Sequence, residues 1–315
     1  MPQATTALPL PPSICIAPTR GPAPDPTLES SKQVQAIIDH FSPPDFALSL
    51  DEHTAETRGL DEWEKMYLSR ETMLRYLKAC RYKLPETIKR LETSIVWRRT
   101  MGLDDVRGLG KELVPEYESG KVIMYGYSRL AQPVIYVTPS KNVRPPSLLQ
   151  VKHMVYSIDR LVDLQLAGVD GVLFFADLSG KPPTSRAELG VMRQIISALQ
   201  AHYPERCGSA ALVKLPWLGS LLVTLLWPFV DADTKKKIHI NPDMSVDLIP
   251  PEQLLVDYGG QVEFLYTPEY LPHLIDICVK RREENRQRWR AAGGTIGMSE
   301  WDFLMRVGES VSREL

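Results

Sequence analysis

Residues able to do chemistry are present in this chain, but none completes a catalytic motif. Gly180-Lys181 could end a phosphate-cradling P-loop, yet the glycine needed five positions earlier is Phe175, and Pro182 follows the lysine. Gly108-Leu109-Gly110 supplies the first two glycines of a dinucleotide fingerprint, but Leu113 stands where the third belongs, and the segment reads as a plain hinge. Asp231-Ala232-Asp233-Thr234 has the look of a phosphoryl-transfer aspartate pair at a strand end. Pro228 lies just before it and a lysine comes next, so a capped helix start is the simpler reading. The six histidines form no H-E-x-x-H and join no short carboxylate or cysteine cluster, and no G-x-S-x-G elbow offers a serine nucleophile. Cys15, Cys80, Cys207 and Cys278 lie far apart, which suits neither a zinc site nor a disulfide framework and fits a reducing, cytosolic setting. No catalytic residue, metal ligand or cofactor is assigned.

A second constellation is more particular. Tyr203-Pro204-Glu205-Arg206 is followed by a buried-strand pattern at 210–215, then Pro216-Trp217, then apolar residues up to Trp227-Pro228-Phe229, then Asp231 and Thr234 to Lys237. The apolar stretch 215–230 is short for a bilayer span and is broken by Pro216, Gly219 and Pro228. It is apolar on nearly all faces with a tryptophan near each end, which suits a helix buried in a core as well as one that tolerates a membrane interface. Taken alone, Glu205 and Lys237 read as a weak surface ion pair and Arg81 as a solvated charge.

Together with Met73-Leu74-Arg75-Tyr76-Leu77-Lys78-Ala79 and Tyr258-Gly259-Gly260, this order of motifs resembles the CRAL-TRIO lipid-binding family. Within it, the chain looks closest to the Sec-fourteen-like phosphatidylinositol transfer proteins of the fungal pleiotropic-drug-resistance branch, over residues 60–300. The resemblance implies an α/β fold in which a mostly parallel twisted sheet, flanked by helices and preceded by a helical module, forms the floor of a lipid pocket. It implies no enzyme but a carrier of phosphatidylinositol that exchanges its lipid at a transient membrane surface or presents it to lipid kinases. Such a carrier is expected in the cytoplasm and peripherally on membranes such as the endoplasmic reticulum or lipid droplets. Carried over residue by residue, Glu205 would accept inositol hydroxyls, Lys237 would add positive charge at the headgroup, Thr234 would be a nearby hydroxyl donor, and Arg81 would be the basic residue of the helical module. The segment after Pro216 would act as a helical gate, with Trp217, Leu221, Leu222, Leu225, Trp227 and Phe229 as its apolar residues.

Physics makes an enclosed site necessary for such a ligand. A two-chain lipid has on the order of 30 CH₂ groups worth about 0.8 kcal/mol each in transfer from water, which a surface groove would leave largely exposed. Val172, Phe174 and Ala176 are the expected pocket residues. Phosphatidylcholine-binding members of the family carry small hydroxyl residues on this strand, and Val172 and Phe174 cannot bond a choline lipid's phosphate. The departure disfavours phosphatidylcholine and points to an apolar second ligand such as a sterol. Two rival readings are a lipid-, sterol- or haem-sensing module that regulates a partner protein, and an enzyme of unrecognised type.

Several elements must position these residues. Helical spacing is found at Val34, Ile37 and Ile38, after Ser69 through Met73, Leu74 and Leu77, and after Pro85 over 86–99. A glycine-containing link at 102–110 leads to strands at 122–127 and 134–138, expected as a hairpin. Helix and strand then alternate: a helix at 148–166, a strand at 172–178, a helix at 186–202, a strand at 210–215 and a short strand at 238–240, which argues for a largely parallel sheet. A last helix is expected over 268–290. The expected organisation is a disordered Pro-rich arm at 1–30, a helical module at 31–110, the lipid-binding domain at 111–267, and a C-terminal helix and tail at 268–315. With 315 residues, 43% hydrophobic, the chain can bury a sizeable core, and its formal net charge of −2 gives no basic footprint for nucleic acid.

Overall fold

Thr27 opens the first helix of the structure, a computed structural model that describes residues 27–180, 185–215, 228, 230 and 232–306. The residues expected to form a gate, Trp217, Leu221, Leu222, Leu225, Trp227 and Phe229, together with Asp231 and the arm at 1–26, lie outside the described residues. The chain divides into two compact units. Of the described residues, one unit comprises those within Arg107–Gln165 and Val169–Val279; the other comprises residues 27–106, Leu166–Gly168 and 280–306.

The second unit is helical for local reasons legible in its caps. Thr27 caps α1 (Leu28–Phe41), and a small hairpin pairs β1 (Leu48–Ser49) with β2 (Thr57–Arg58). An Asp61/Glu64 capping box starts α2 (Glu62–Tyr67), Ser69 caps α3 (Arg70–Ala79), and Pro85 sits in the first turn of α4 (Leu84–Met101). Gly102, at φ +70°, ends α4. The core buries Val34, Ile37, Phe41, Met73, Tyr76, Leu77, Leu91 and Ile95. Buried Glu64 is held by both Arg58 and Arg99, and Glu300, on a terminal helical turn, accepts from Ser69 and Arg75. The hairpin and α2 were not foreseen, being too short to carry a periodic signal.

The first unit carries a five-stranded sheet in the order β3-β4-β5-β6-β7. Strands β3 (Val122–Tyr127) and β4 (Pro133–Val137) form the expected antiparallel hairpin. Strands β5 (Val172–Asp177), β6 (Cys207–Val213) and β7 (Ile238–Ile240) then add in parallel. The crossovers are α7 (Leu148–Asp163), buried along much of its length, and α8 (Arg186–His202), opened by a Ser185/Glu188 capping box. Short helices α5 (Val106–Glu112), α6 (Val114–Tyr117), α9 (Ala232–Lys235) and α10 (Met244–Asp247) fill the connections. The long α11 (Tyr270–Ala291) and short α12 (Glu300–Phe303) follow. Among the described residues no helix is long and apolar enough to cross a membrane.

One expectation is corrected: Gly108-Leu109-Gly110 is no hinge but lies inside α5. A Cβ at Gly110 would meet Ile275 Cδ1 at 2.6 Å and Tyr156 Oη at 2.8 Å, so the glycine there serves close helix packing. Strand β6 also begins three residues earlier than expected, at Cys207. Gly208 makes the early start possible, because a Cβ there would sit 2.2 Å from the Gln132 amide nitrogen.

Candidate functional site

Register decides what the sheet offers. Ile135, Phe174, Ala210 and Ile238 are aligned partners across β4 to β7, and two residues on so are Val137, Ala176, Leu212 and Ile240. Aligned partners project to the same face, so eight apolar side chains form one continuous floor. Ile135 is buried and Ile240 is 52% exposed, while the other six are only part-covered. The intervening row, Tyr136, Phe175 and Ala211, is sealed on the opposite face, where the Tyr258 ring packs 4.4 Å from Phe175 and stacks at 5.8 Å on Tyr136. Phe174 and Ala176 thus lie on the half-open floor. Val172 is fully buried beside a register shift of β5 on β6 and is enclosed by protein. Helix α8 contributes a second half-covered surface: it packs mainly on α7, and Leu189, Met192, Ile195, Ile196 and Leu199 are all only part-buried.

The Tyr203-Pro204-Glu205-Arg206 turn stands where β6 begins. Tyr203 donates to Asp159 Oδ1 (3.0 Å) on α7, Arg206 donates to Gln165 Oε1, and the Arg206 carbonyl accepts from Val172 N (2.9 Å). Asp159 and Asp163 in turn hold the fully buried Arg160, at 2.9 and 2.6 Å. Between these anchors Glu205 adopts φ +59°, a left-handed conformation that a non-glycine residue keeps only when its surroundings enforce it. Its carboxylate lies 3.9 Å from Lys237 Nζ, and neither side chain is fully buried. Lys237 Nζ also donates to the Cys207 carbonyl (2.8 Å), and its backbone N–H donates to the carbonyl of Thr234 in α9 (3.0 Å). The structure therefore brings Glu205, Lys237 and Thr234 together at the edge where β6 and β7 start. Arg81 belongs to the other unit, where it is exposed at φ +53° after α3.

A polar cluster at the opposite, carboxyl edge of the parallel strands escaped the sequence reading. Asp177 Oδ2 accepts from Tyr258 Oη (2.9 Å) and Lys214 Nζ (3.2 Å), Asp177 Oδ1 accepts from Ser179 N (2.9 Å), and the Lys214 ammonium sits 4.6 Å from the centre of the Tyr258 ring. Burial works against the charged carboxylate, but the hydrogen bonds from Ser179, Tyr258 and Lys214 outweigh it and hold Asp177 below its ordinary pKa. The tyrosine of Tyr258-Gly259-Gly260 was the visible signal; its partners are 44 and 81 residues away, beyond any local pattern. Gly259 takes φ +88°, and Gly260 has no room for a Cβ, which would lie 1.9 Å from the Leu254 carbonyl oxygen. Among the described residues no group of three or more His, Cys, Asp or Glu is arranged to hold a metal ion.

A half-open apolar floor and one half-covered crossover helix, with the Glu205–Lys237 and Asp177–Lys214 pairs at opposite strand ends, make this an α/β domain that leaves much of its apolar surface unsealed. The chain belongs to the CRAL/TRIO family: residues 117–260 match the CRAL/TRIO domain and residues 32–93 the CRAL/TRIO N-terminal domain. It is 31% identical over 291 residues to the phosphatidylinositol transfer protein PDR17 of Saccharomyces cerevisiae, covering 87% of this chain and 83% of that protein. It is also 31% identical over 252 residues to a CRAL-TRIO domain-containing protein of Schizosaccharomyces pombe, covering 80% of this chain but only 25% of that protein. The chain thus spans most of one relative and a quarter of the other. The crystal structure of Sfh5 shares the fold, with a TM-score of 0.52 at 16% identity over 81% of this chain and 99% of that one.

Proposed function

We propose that the protein is a non-enzymatic carrier that binds phosphatidylinositol and moves it between membranes or presents it to lipid kinases. The observation that carries this reading is the eight-residue apolar floor, left half-open across β4 to β7, with the Glu205–Lys237 pair at one end of it. Acyl chains lie along such a floor at no polar cost, because no side chain in the two rows has an N or O atom. A part-exposed ion pair as long as 3.9 Å contributes little to stability, so its partners can exchange each other for ligand at small cost. Glu205 would accept from inositol hydroxyls, Lys237 would neutralise the phosphodiester, and Thr234 would add a hydroxyl. The similarity to PDR17, a phosphatidylinositol transfer protein, supports the ligand class. A sterol is proposed as the second ligand, since Phe174 and Ala176 offer it only hydrocarbon. A peripheral, cytoplasmic location follows from the same role.

The decisive experiment is mass spectrometry of lipids extracted from the purified protein, for the wild type and the Glu205→Gln, Lys237→Met double variant. Near-stoichiometric phosphatidylinositol that is lost in the folded variant is the expected result. Retention of the lipid in the variant would remove these residues from the site, and a sterol or haem as the resident ligand would favour a sensing module over a carrier.

A further inference from the structure

On α11 the buried positions recur as Leu271, Leu274, Cys278, Arg281, Asn285 and Trp289. Four of them suit a core. Arg281 and Asn285, each only 4% exposed, do not. Neither Arg281 Nη1 nor Asn285 Oδ1 has a hydrogen-bond partner, and among the described residues Arg281 forms no ion pair. Acids that reach this stretch of the helix pair with other arginines: Glu283 with Arg286, and Asp104 with Arg282 at 2.8 Å. A buried guanidinium without an anion and a buried amide oxygen without a donor are both strongly disfavoured, and each calls for a missing group. The two residues are four apart, so they share one helix face about 6 Å apart along the axis, close enough for one small molecule to bridge.

We propose that Arg281 and Asn285 form a binding site for a protonated phosphate group, either inorganic phosphate or the phosphomonoester of a lipid headgroup. The chemistry follows from the two orphan atoms. Arg281 needs a charged oxygen, and Asn285 Oδ1 needs a donor; a monoprotonated phosphate supplies both from one centre. Sulfate or a carboxylate supplies only the first and sets an acceptor against the amide oxygen. The local balance is still positive: residues 280–291 hold Lys280, Arg281, Arg282, Arg286, Arg288 and Arg290, against Glu283 and Glu284 on the helix and Asp104 and Glu62 paired to it from other elements. This site uses none of the residues assigned to the phosphatidylinositol reading.

The test is a titration of the full-length protein, in phosphate-free buffer, with sodium phosphate and separately with sodium sulfate, read by calorimetry and by thermal unfolding. Phosphate is expected to bind saturably and sulfate about tenfold more weakly or worse. Asn285→Leu should erase that preference while keeping an anion response, and Arg281→Met should abolish both. If Arg281→Met does not fold, Asn285→Leu decides alone, since it retains the charge. Phosphorus assay separates the two sources. Dialysable phosphate identifies the free ion, whereas a phosphomonoester lipid that survives dialysis, extracts into chloroform, is lost in Arg281→Met and is kept in Lys237→Met identifies the headgroup. Equal responses to phosphate and sulfate, responses unchanged in both variants, or no response together with no retained phosphomonoester would each overturn the proposal.

Discussion

Glu205 holds φ +59° while its carboxylate faces Lys237, so a substitution there should respect both facts. Glutamine keeps the side-chain shape and backbone preference and removes only the charge. Glu205→Gln is therefore expected to slow phosphatidylinositol transfer between liposomes by about tenfold, the effect of losing one hydrogen bond to a charged group, without changing the unfolding free energy by more than about 0.5 kcal/mol. A transfer rate within twofold of wild type would argue against the headgroup role. Phe174→Ala should change the second ligand and leave phosphatidylinositol bound; loss of both would count against the assignment of the floor. Glu205 and Lys237 were singled out in the sequence only through the family resemblance, since on their own they read as a weak surface ion pair. Asp177 was not, since nothing near it marks a residue whose partners, Lys214 and Tyr258, arrive from distant loops.

Elements were legible where the pattern was long or punctuated. The helix at 186–202 and the strands at 122–127 and 238–240 fall where periodicity placed them, because the Ser185 cap and the β-branched or aromatic runs are local signals. The helix at 106–112 was missed because its two glycines weaken intrinsic helix propensity, and packing against Ile275 and Tyr156 overrides that weakness. Two glycines in helices consequently predict opposite outcomes. Gly190→Ala in α8, where a Cβ meets nothing within 4 Å, should stabilise by about 0.5–1 kcal/mol through propensity alone. At Gly110 the same gain is opposed by contacts at 2.6 and 2.8 Å, and Gly110→Val should destabilise by about 1–3 kcal/mol as overpacking wins. Urea unfolding of the two variants side by side checks the pair; a stabilised Gly110→Val would show that α5 moves aside freely.

At the scale of the molecule, acid response follows from one buried ring. His153, 1% exposed on α7 and edge-on to Tyr117 at 4.3 Å, has its pKa lowered from 6.5 to about 3, first by burial and then by the Lys121 charge. The folded state binds this proton less readily than the unfolded chain, so the contribution is intact above 6.5 and is lost progressively as the pH falls below it. Between pH 7 and pH 5 the loss amounts to about 2 kcal/mol. His153→Phe should flatten that part of the stability–pH curve, as measured by denaturant unfolding at the two pH values; an unchanged slope would place the acid sensitivity elsewhere. Nothing in the sequence distinguished this histidine from the other five, because burial is a property of the assembled helix.

The strand order carries a last consequence. Strands β4 to β7 are parallel and lie in sequential order, so the sheet winds in one direction, and the general rule of right-handed connections puts successive crossovers on the same side. Room for a guest then depends on how far a crossover stands away from the strands. Helix α7 rests on β3 and β4, whereas α8 leans on α7 and leaves its own apolar side chains half-covered. The described tether after α8, the Tyr203-Pro204-Glu205-Arg206 turn anchored to Asp159 and Gln165, is thus one determinant of how far this helix stands from the sheet. Lengthening or shortening that tether offers evolution, or an engineer, a way to shift α8 against the sheet without disturbing a single strand pairing.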